Sequence, residues 1–446
     1  MRSIIRKNES YSNVYSLGNS IHLMLELIQF FNEVCMCSQS ILKNPRILAV
    51  ALLGFSSGLP LALTGSTLQA WFTQAGISLV TIGALSLIGI PYILKFIWSP
   101  VMDKVIPPFW GRRRGWIGIA QIGLSIALFV LANLDPKLHV NMMGQLALLI
   151  AFLSASQDIA IDAYRTDTLL PSERGYGSAF FIFMARISII ISSGLSLILA
   201  DHMGWGVTYQ LMAVLMALSS LVTYFAPEIP DHIKPPRSFT AAVVEPFKDL
   251  FRREAIFLIL PFIILYKFGD ALALQLMSTF LLRGLGFTLT DVGVAYKTIG
   301  FAASILGAFA GGVLLNRLGL FRSLLFFGIA QAFSNLLFML LAMAGKNYVL
   351  MMTSMFLENF FTGMSTTALL VFVTALCNQK YSATQFACLS ALFSIGRIFL
   401  GPVAAVMVQH LGWASFYGWT FIICFPALIL LSLMRSRVTF NVEAIA

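Results

Sequence analysis

Long apolar runs, each closed by charges, glycine or proline, recur along the chain. They predict helices at 47–71, 79–102, 115–134, 142–166, 176–200, 206–226, 255–282, 291–315, 321–344, 347–377, 383–408 and 412–434. Runs of this length match the roughly 20 apolar residues that cross a bilayer. A backbone in lipid must satisfy its hydrogen bonds internally, so each run reads as a helix rather than a strand. The pattern is interrupted between the sixth and seventh runs, where Glu228, Pro230, Asp231, Lys234, Pro235, Pro236 and Arg237 form a polar linker. The plan is an all-α membrane protein of about twelve transmembrane helices in two six-helix halves. Its expected parts are an extension at 1–45, a bundle at 46–226, a cytoplasmic linker at 227–254, a second bundle at 255–435 and a tail at 436–446.

Composition removes the competing classes. The chain has 446 residues, 58% hydrophobic and 11% charged, with a mean hydropathy of +0.85. Soluble domains carry about 25% charged residues, so a soluble enzyme, a secreted disulfide scaffold and a disordered chain are all excluded. The net charge of +10 matters here through its placement. With both termini cytoplasmic, the inner segments hold twenty Lys and Arg, among them Arg112, Arg113, Arg114, Arg252, Arg253, Arg317 and Arg322. The opposite side holds three: Lys137, Arg283 and Lys346. The excess of basic residues on cytoplasmic loops then sets the orientation. Residues 1–45 are too short and too charged to span. Ile21 to Val34 has the pattern of a surface helix, with Glu26 and Glu33 on its polar side. The stretch reads as a dispensable extension upstream of a true start at Met36.

Catalytic and metal chemistry find no purchase. The five cysteines are odd in number, and Cys35-Met36-Cys37 has no second Cys or His pair to complete a metal site. No phosphate loop, H-E-x-x-H or G-x-S-x-G pattern occurs. No catalytic residue, cofactor or metal is expected, and no nucleic-acid partner.

The connections after the second and eighth helices carry related patterns at the same place in each half. One is Gly312-x3-Asn316-Arg317-x-Gly319-x2-Arg322. The other is Asp103-Lys104, a stretched insert, then Gly111-Arg112-Arg113-Arg114. Both resemble the short cytoplasmic loop of the major facilitator superfamily, and duplicated halves are how such transporters are built. The first copy departs from the pattern, with Ser99 where a glycine is expected. These loops suit a gate, which names Asp103, Arg112, Arg113, Arg114, Asn316 and Arg317, with Asp167 on the neighbouring helix. Loops that are basic merely to set topology are the plainer reading.

Four ungapped blocks in the first 170 residues carry a closer resemblance. They are Ser57-Gly58-Leu59-Pro60 with Thr67-Leu68-Gln69-Ala70-Trp71, Lys95 to Asp103, Pro107 to Trp116, and Ser154-Ala155-Ser156-Gln157-Asp158-Ile159-Ala160-Ile161-Asp162-Ala163. Together they resemble the AmpG-type muropeptide permeases. The resemblance implies a monomeric carrier in the bacterial inner membrane that imports disaccharides of N-acetylglucosamine and anhydro-N-acetylmuramic acid bearing short peptides. Protons would drive the uptake, in the service of cell-wall recycling and, through it, β-lactamase induction. An acetyl-CoA or other polyanion carrier, and a non-transporting muropeptide receptor, are the alternatives.

Ionisable residues at membrane depth are expensive and mark function by default. The cations are Lys95, Arg165, Arg186, Lys267, Lys297 and Arg397; the acids are Asp158, Asp162, Asp270 and Glu358. Their near-balance predicts pairing across one cavity between the halves. Asp158 and Asp162 are four apart and share a helix face, so the acids are assigned to proton coupling. Asp162 and Asp167 can equally hold the loop arginines, Lys267 can pair with Asp270 three residues on, and Lys95 can snorkel to the interface. Muropeptides carry carboxylates, which Arg binds bidentately and Lys as a point charge. Arg186, Lys267, Lys297 and Arg397 are therefore assigned to substrate binding, with Gln69 and Gln157 for the sugars.

Overall fold

The computed structural model describes residues 44–170, 173–227, 251, 255–376 and 382–435. The expected extension, most of the linker and the tail lie outside them. Among the described residues, ten helices are long and apolar enough to cross a bilayer. Two more spans come from local irregularities. The helix Ser382–Ile423 is broken at Gly412, which adopts φ 75° and ψ 169°. The second helix is cut by tight turns into short pieces that run on from Leu79 to Lys104. The spans are α1 (Pro45–Gln74), α2 (79–104), α3 (Arg112–Ala132), α4 (Val140–Thr168), α5 (174–203), α6 (Trp205–Phe225), α7 (Ile256–Gly284), α8 (289–318), α9 (Leu320–Ala344), α10 (Tyr348–Leu376), α11 (382–411) and α12 (413–434).

Local chemistry sets the ends. Asn44 caps α1, its side chain accepting from the Arg46 amide at 3.0 Å, with Pro45 in the first turn. The Asn44 amide also donates to Glu173 at 2.7 Å, which ties the start of α1 to the start of α5. Helix α5 runs past the expected 200 until Gly204 turns the chain at φ 83°, a left-handed conformation that glycine adopts at little cost. Helix α1 carries Pro60 and unwinds at Leu63–Thr67, where Gly65 leaves helical geometry.

Lipid gives helices no hydrophobic reason to associate, so close backbone approach has to supply the contact. A Cβ on Gly54 of α1 would lie 2.3 Å from the Phe181 carbonyl oxygen of α5. One on Gly307 of α8 would lie 1.9 Å from that of Phe360 on α10. Only glycine fits either crossing. The two halves meet by the same device. Helix α2 crosses α11 where a Cβ on Gly401 would lie 2.2 Å from the Gly83 oxygen, and α5 meets α8 where one on Gly293 would lie 2.9 Å from the Gly194 oxygen.

Polar contacts reinforce that seam. Thr73 of α1 and Thr279 of α7 share a 2.8 Å hydrogen bond. Arg283 donates to the carbonyls of Thr73 at 2.9 Å and Ile77 at 2.8 Å, at the carboxyl end of α1. Asp201 at the end of α5 accepts from the Thr290 amide at 3.1 Å, in the first turn of α8. Each half thus supplies a charge that suits a helix end of the other. All these contacts lie in the half of the bundle nearer the 1–2, 5–6, 7–8 and 11–12 connections.

Candidate functional site

Three of the six intramembrane cations stand where a helix departs from α geometry. Helix α2 tightens over Lys95–Ile97. Helix α7 breaks at Lys267, which has φ −106° and ψ 2°. Helix α8 opens into a wider turn across Gly293–Ile299, which includes Lys297. Discontinuous helices of this kind line the binding sites of secondary transporters, because the interrupted backbone must face protein or water.

The acids fall into two clusters, one in each half, rather than pairing across one cavity as their balance suggested. In the first half, Asp158 of α4 accepts a 2.6 Å hydrogen bond from Ser57 of α1. Lys95 and Asp162 are in electrostatic reach of it, as is Tyr92 of α2. Trp98 of α2 donates to Ser156 of α4 at 3.0 Å, which ties the tight turns of α2 to α4. Asp162 shares that face only loosely. It is half exposed and pairs with Arg165 at 3.1 Å, and the Arg165 guanidinium lies 4.6 Å over the Phe181 ring.

In the second half, Lys267 of α7 donates to Asp270 at 3.0 Å and to Ser365 of α10 at 2.5 Å. Glu358 of α10 is fully buried. It accepts from Gln331 of α9 at 2.7 Å and touches Ser334 of the same helix. The second carboxylate oxygen of Asp270 and the amide oxygen of Asn335 are buried without a hydrogen-bond partner. The separation has a simple cause: each acid finds hydroxyl, amide or ammonium donors on the helices of its own half.

The other sequence candidates are placed as follows. Gln69 lies in the seam, where its amide donates to the Gln275 carbonyl of α7 at 2.6 Å. Gln275 in turn donates to the Arg397 carbonyl at 2.7 Å, and the Arg397 residue is exposed. Gln157 belongs to a buried chain: Gln157 and Gln121 both donate to Ser56, at 2.9 and 3.1 Å, and Thr223 donates to Gln121 at 2.6 Å. That chain stitches α4, α1, α3 and α6 together, although the Gln157 amide oxygen is left without a partner. Arg186 is exposed on α5, and Arg317 is exposed in the last turn of α8. Arg113 pairs with Asp167 at 3.1 Å, and Arg114 donates to the Ala226 carbonyl at 2.7 Å. Both contacts stay within the first half. The side chains of Asp103, Lys297 and Asn316 lie outside the described residues.

Sequence reading missed Ser57, Gln331, Ser334 and Ser365. Small hydroxyls and a lone glutamine in apolar runs carry no spacing signal. It also gave Arg283 and Asp201 no role beyond topology, since the helix ends they face belong to the other half.

Two six-helix bundles, meeting through glycine crossings and a few polar contacts, with buried charges beside broken helices, define a secondary carrier. The Major Facilitator Superfamily model matches residues 50–384. The chain is 47% identical over 402 residues to the anhydromuropeptide permease of Escherichia coli (strain K12), covering 90% of this chain and 82% of that one. It is 32% identical over 408 residues to the putative transporter AmpG 4 of Rickettsia conorii, covering 89% and 98%. The chain belongs to the Major Facilitator Superfamily, among its AmpG-type permeases. Among solved structures, the nucleoside transporter NupG superposes with a TM-score of 0.69 at 18% identity, covering 86% of this chain and 98% of that one. A D-xylose–proton symporter gives 0.68 at 13%, covering 89% and 98%. Those two likenesses bear on the fold alone. The protein is a multi-pass membrane transporter, not an enzyme.

Proposed function

We propose that the protein imports anhydromuropeptides, GlcNAc–anhydroMurNAc and its peptides, across the bacterial inner membrane in exchange for the energy of a proton gradient. The observation that carries this reading is the 47% identity over 90% of the chain to an anhydromuropeptide permease. The chemistry of the substrate agrees with the charges in the membrane. A muropeptide is a sugar with carboxylates, and six cations lie at membrane depth against four acids. Desolvating an unmatched cation costs several kcal/mol, which an anionic substrate offsets. Lys267, Lys297, Arg186 and Arg397 serve the carboxylates, and Gln69 and Gln157 the sugar. Asp158, with Ser57 and Lys95 beside it, serves proton coupling, together with Asp162, Asp270 and Glu358.

With both termini in the cytoplasm, the closed seam faces the periplasm, and the carrier rests closed to the outside. The 103–114 and 316–322 connections, with Asp167, gate the opposite end. The Arg113–Asp167 pair forms while the seam is shut, so it anchors that gate to α4 rather than closing it. The test is uptake of labelled anhydromuropeptide into proteoliposomes. A carrier accumulates it under an inward proton gradient and loses accumulation on adding a protonophore. Binding without counterflow would make the protein a receptor and end the proposal.

A further inference from the structure

Helix α11 carries Pro402 inside it. Proline has no N–H, so it cannot donate to the Ile398 carbonyl one turn earlier. Ile398 is buried, and a buried carbonyl needs a donor from elsewhere. Ser86 of α2 supplies it, its hydroxyl donating to that oxygen at 2.7 Å. A second carbonyl is served in the same way. Helix α7 is interrupted at Leu276, which has φ −114° and ψ 23°. The carbonyl of Gln275, just before the break, accepts from Gln69 of α1 at 2.6 Å. The Gln275 side chain in turn donates to the Arg397 carbonyl at 2.7 Å, next to Ile398. One residue thus fastens the two acceptors into a single patch on the second half.

Both covers come from the first half. The matching place on α5 is arranged differently: the Ser192 carbonyl, in the wider turn Ile191–Leu195, accepts from Thr67 of α1 at 2.7 Å. Helices α1 and α5 belong to one half and keep that contact when the halves part. Helices α1 and α2 instead carry Gln69 and Ser86 away from the second half, so opening this end uncovers the Gln275 and Ile398 oxygens together. Peptide carbonyls accept and do not donate. They suit the N–H groups of a ligand, which can displace the water that covers them first. The exposed Arg397 lies in the same turn, so a cation for an acid stands beside acceptors for an amide. Anhydro-N-acetylmuramic acid presents that pair, an acetamido N–H on the ring carbon next to the one bearing the lactyl acid.

We propose that the Gln275 and Ile398 carbonyls form an outward-facing subsite for an acetamido N–H of the substrate, which Gln69 and Ser86 cover whenever this end is shut. Ligand and first half compete for the same oxygens. The substrate therefore leaves them as the end closes, and closure hands it on toward the central cavity. The choice of ligand rests on the proposed muropeptide reading; the uncovering of the two acceptors does not.

Pro402→Ala restores the missing N–H and lets α11 satisfy the Ile398 carbonyl itself. The probe is labelled GlcNAc–anhydroMurNAc without peptide, entering right-side-out or inside-out membrane vesicles. Its half-saturating concentration is corrected for the outward-open fraction, which maleimide labelling at Thr279→Cys reports. A merely structural bond from Ser86 is weakened by Pro402→Ala, which leaves the corrected value for right-side-out vesicles unchanged. The subsite predicts that this value rises roughly two- to tenfold, the net contribution of one hydrogen bond, with no change in inside-out vesicles. An analogue with acetoxy in place of both acetamido groups lacks the N–H. It should enter wild-type right-side-out vesicles with a correspondingly higher half-saturating concentration, and Pro402→Ala should narrow the gap between the two ligands. The wild-type comparison decides the matter if Pro402→Ala does not fold. An unchanged corrected value in Pro402→Ala, or equal values for the two ligands in wild type, overturns the subsite. No entry of the disaccharide into wild-type vesicles of either orientation overturns the proposed function, and this ligand with it.

Discussion

Adding one methyl group at the seam should open it. In Gly83→Ala the new Cβ would lie 2.5 Å from the Gly401 oxygen and 2.8 Å from the Ala405 Cβ. Ordinary contact begins near 3.4 Å, so α2 and α11 must part by about 1 Å wherever they cross. Both obstacles sit on a helix backbone or at its root, so no rotamer change relieves them. Overpacking of this kind costs about 1–3 kcal/mol, and only the conformation in which the two helices touch bears it. The closed-to-open ratio should therefore fall roughly 5- to 150-fold. Thr279, fully buried at the seam opposite Thr73, is the reporter. In a cysteine-free background carrying Thr279→Cys, the labelling rate by a membrane-impermeant maleimide tracks the open population and should rise by that factor. Gly144→Ala is the control, because a Cβ there meets nothing within 4 Å. Equal labelling of Gly83→Ala and wild type, in well-folded protein, would refute the argument that this crossing holds the end shut.

The helix-end contacts should act in the same direction but more weakly. Arg283→Gln and Asp201→Asn each remove a charge from a helix terminus, about 0.3–1 kcal/mol, so labelling at Thr279→Cys should rise roughly two- to fivefold. Asp158→Asn keeps the size and the hydrogen bond to Ser57 but cannot take up a proton. It should reach the membrane in normal amount and lose uptake driven by a pH gradient, and gradient-dependent uptake at the normal level would sink that role. Charge recognition is read by competition. An amidated muropeptide should compete poorly in wild type, and Lys297→Gln should narrow the difference between charged and amidated forms; equal competition in wild type returns recognition to the sugar.

The spans were legible because lipid imposes one rule on every residue in them: apolar outside and hydrogen-bonded within. Helix α3, bounded by Arg112 and Asn133, could be read from hydropathy alone. The ion pairs legible in advance were Lys267–Asp270, three residues apart, and Arg113–Asp167, since the loop arginines and the acids of α4 were offered as partners. Distance along the chain hid the rest. Ser57 meets Asp158 across 101 residues, and Gln69 meets Gln275 across 206. Hydropathy is blind to such pairs, since a serine in an apolar run looks the same whether it bonds its own helix or another. The glycines were visible as residues but not as contacts. Gly54 and Gly144 are indistinguishable in sequence, yet one crosses a neighbouring backbone and the other faces open space.

A carrier also needs two kinds of helix contact, and the structure separates them. Within a half, α1 on α5 and α8 on α10 cross with backbone against backbone, and nothing in the cycle requires them to part. Between the halves, the glycine crossings are joined by Gln69–Gln275, Thr73–Thr279, Ser86 to the Ile398 carbonyl at 2.7 Å, and the Arg283 and Asp201 contacts. A hydrogen bond that water can replace contributes only about 0.5–1.5 kcal/mol net. Opening this end admits that water, so a seam of polar contacts is cheap to break and still specific enough to fix one register. Apolar side chains in place of those polar ones would hold the seam by area burial, at about 25 cal/mol per Å² with nothing to compensate on opening. A ligand can shift an equilibrium only by its differential affinity for the two states. The polar seam keeps those states close enough for a bound substrate to choose between them.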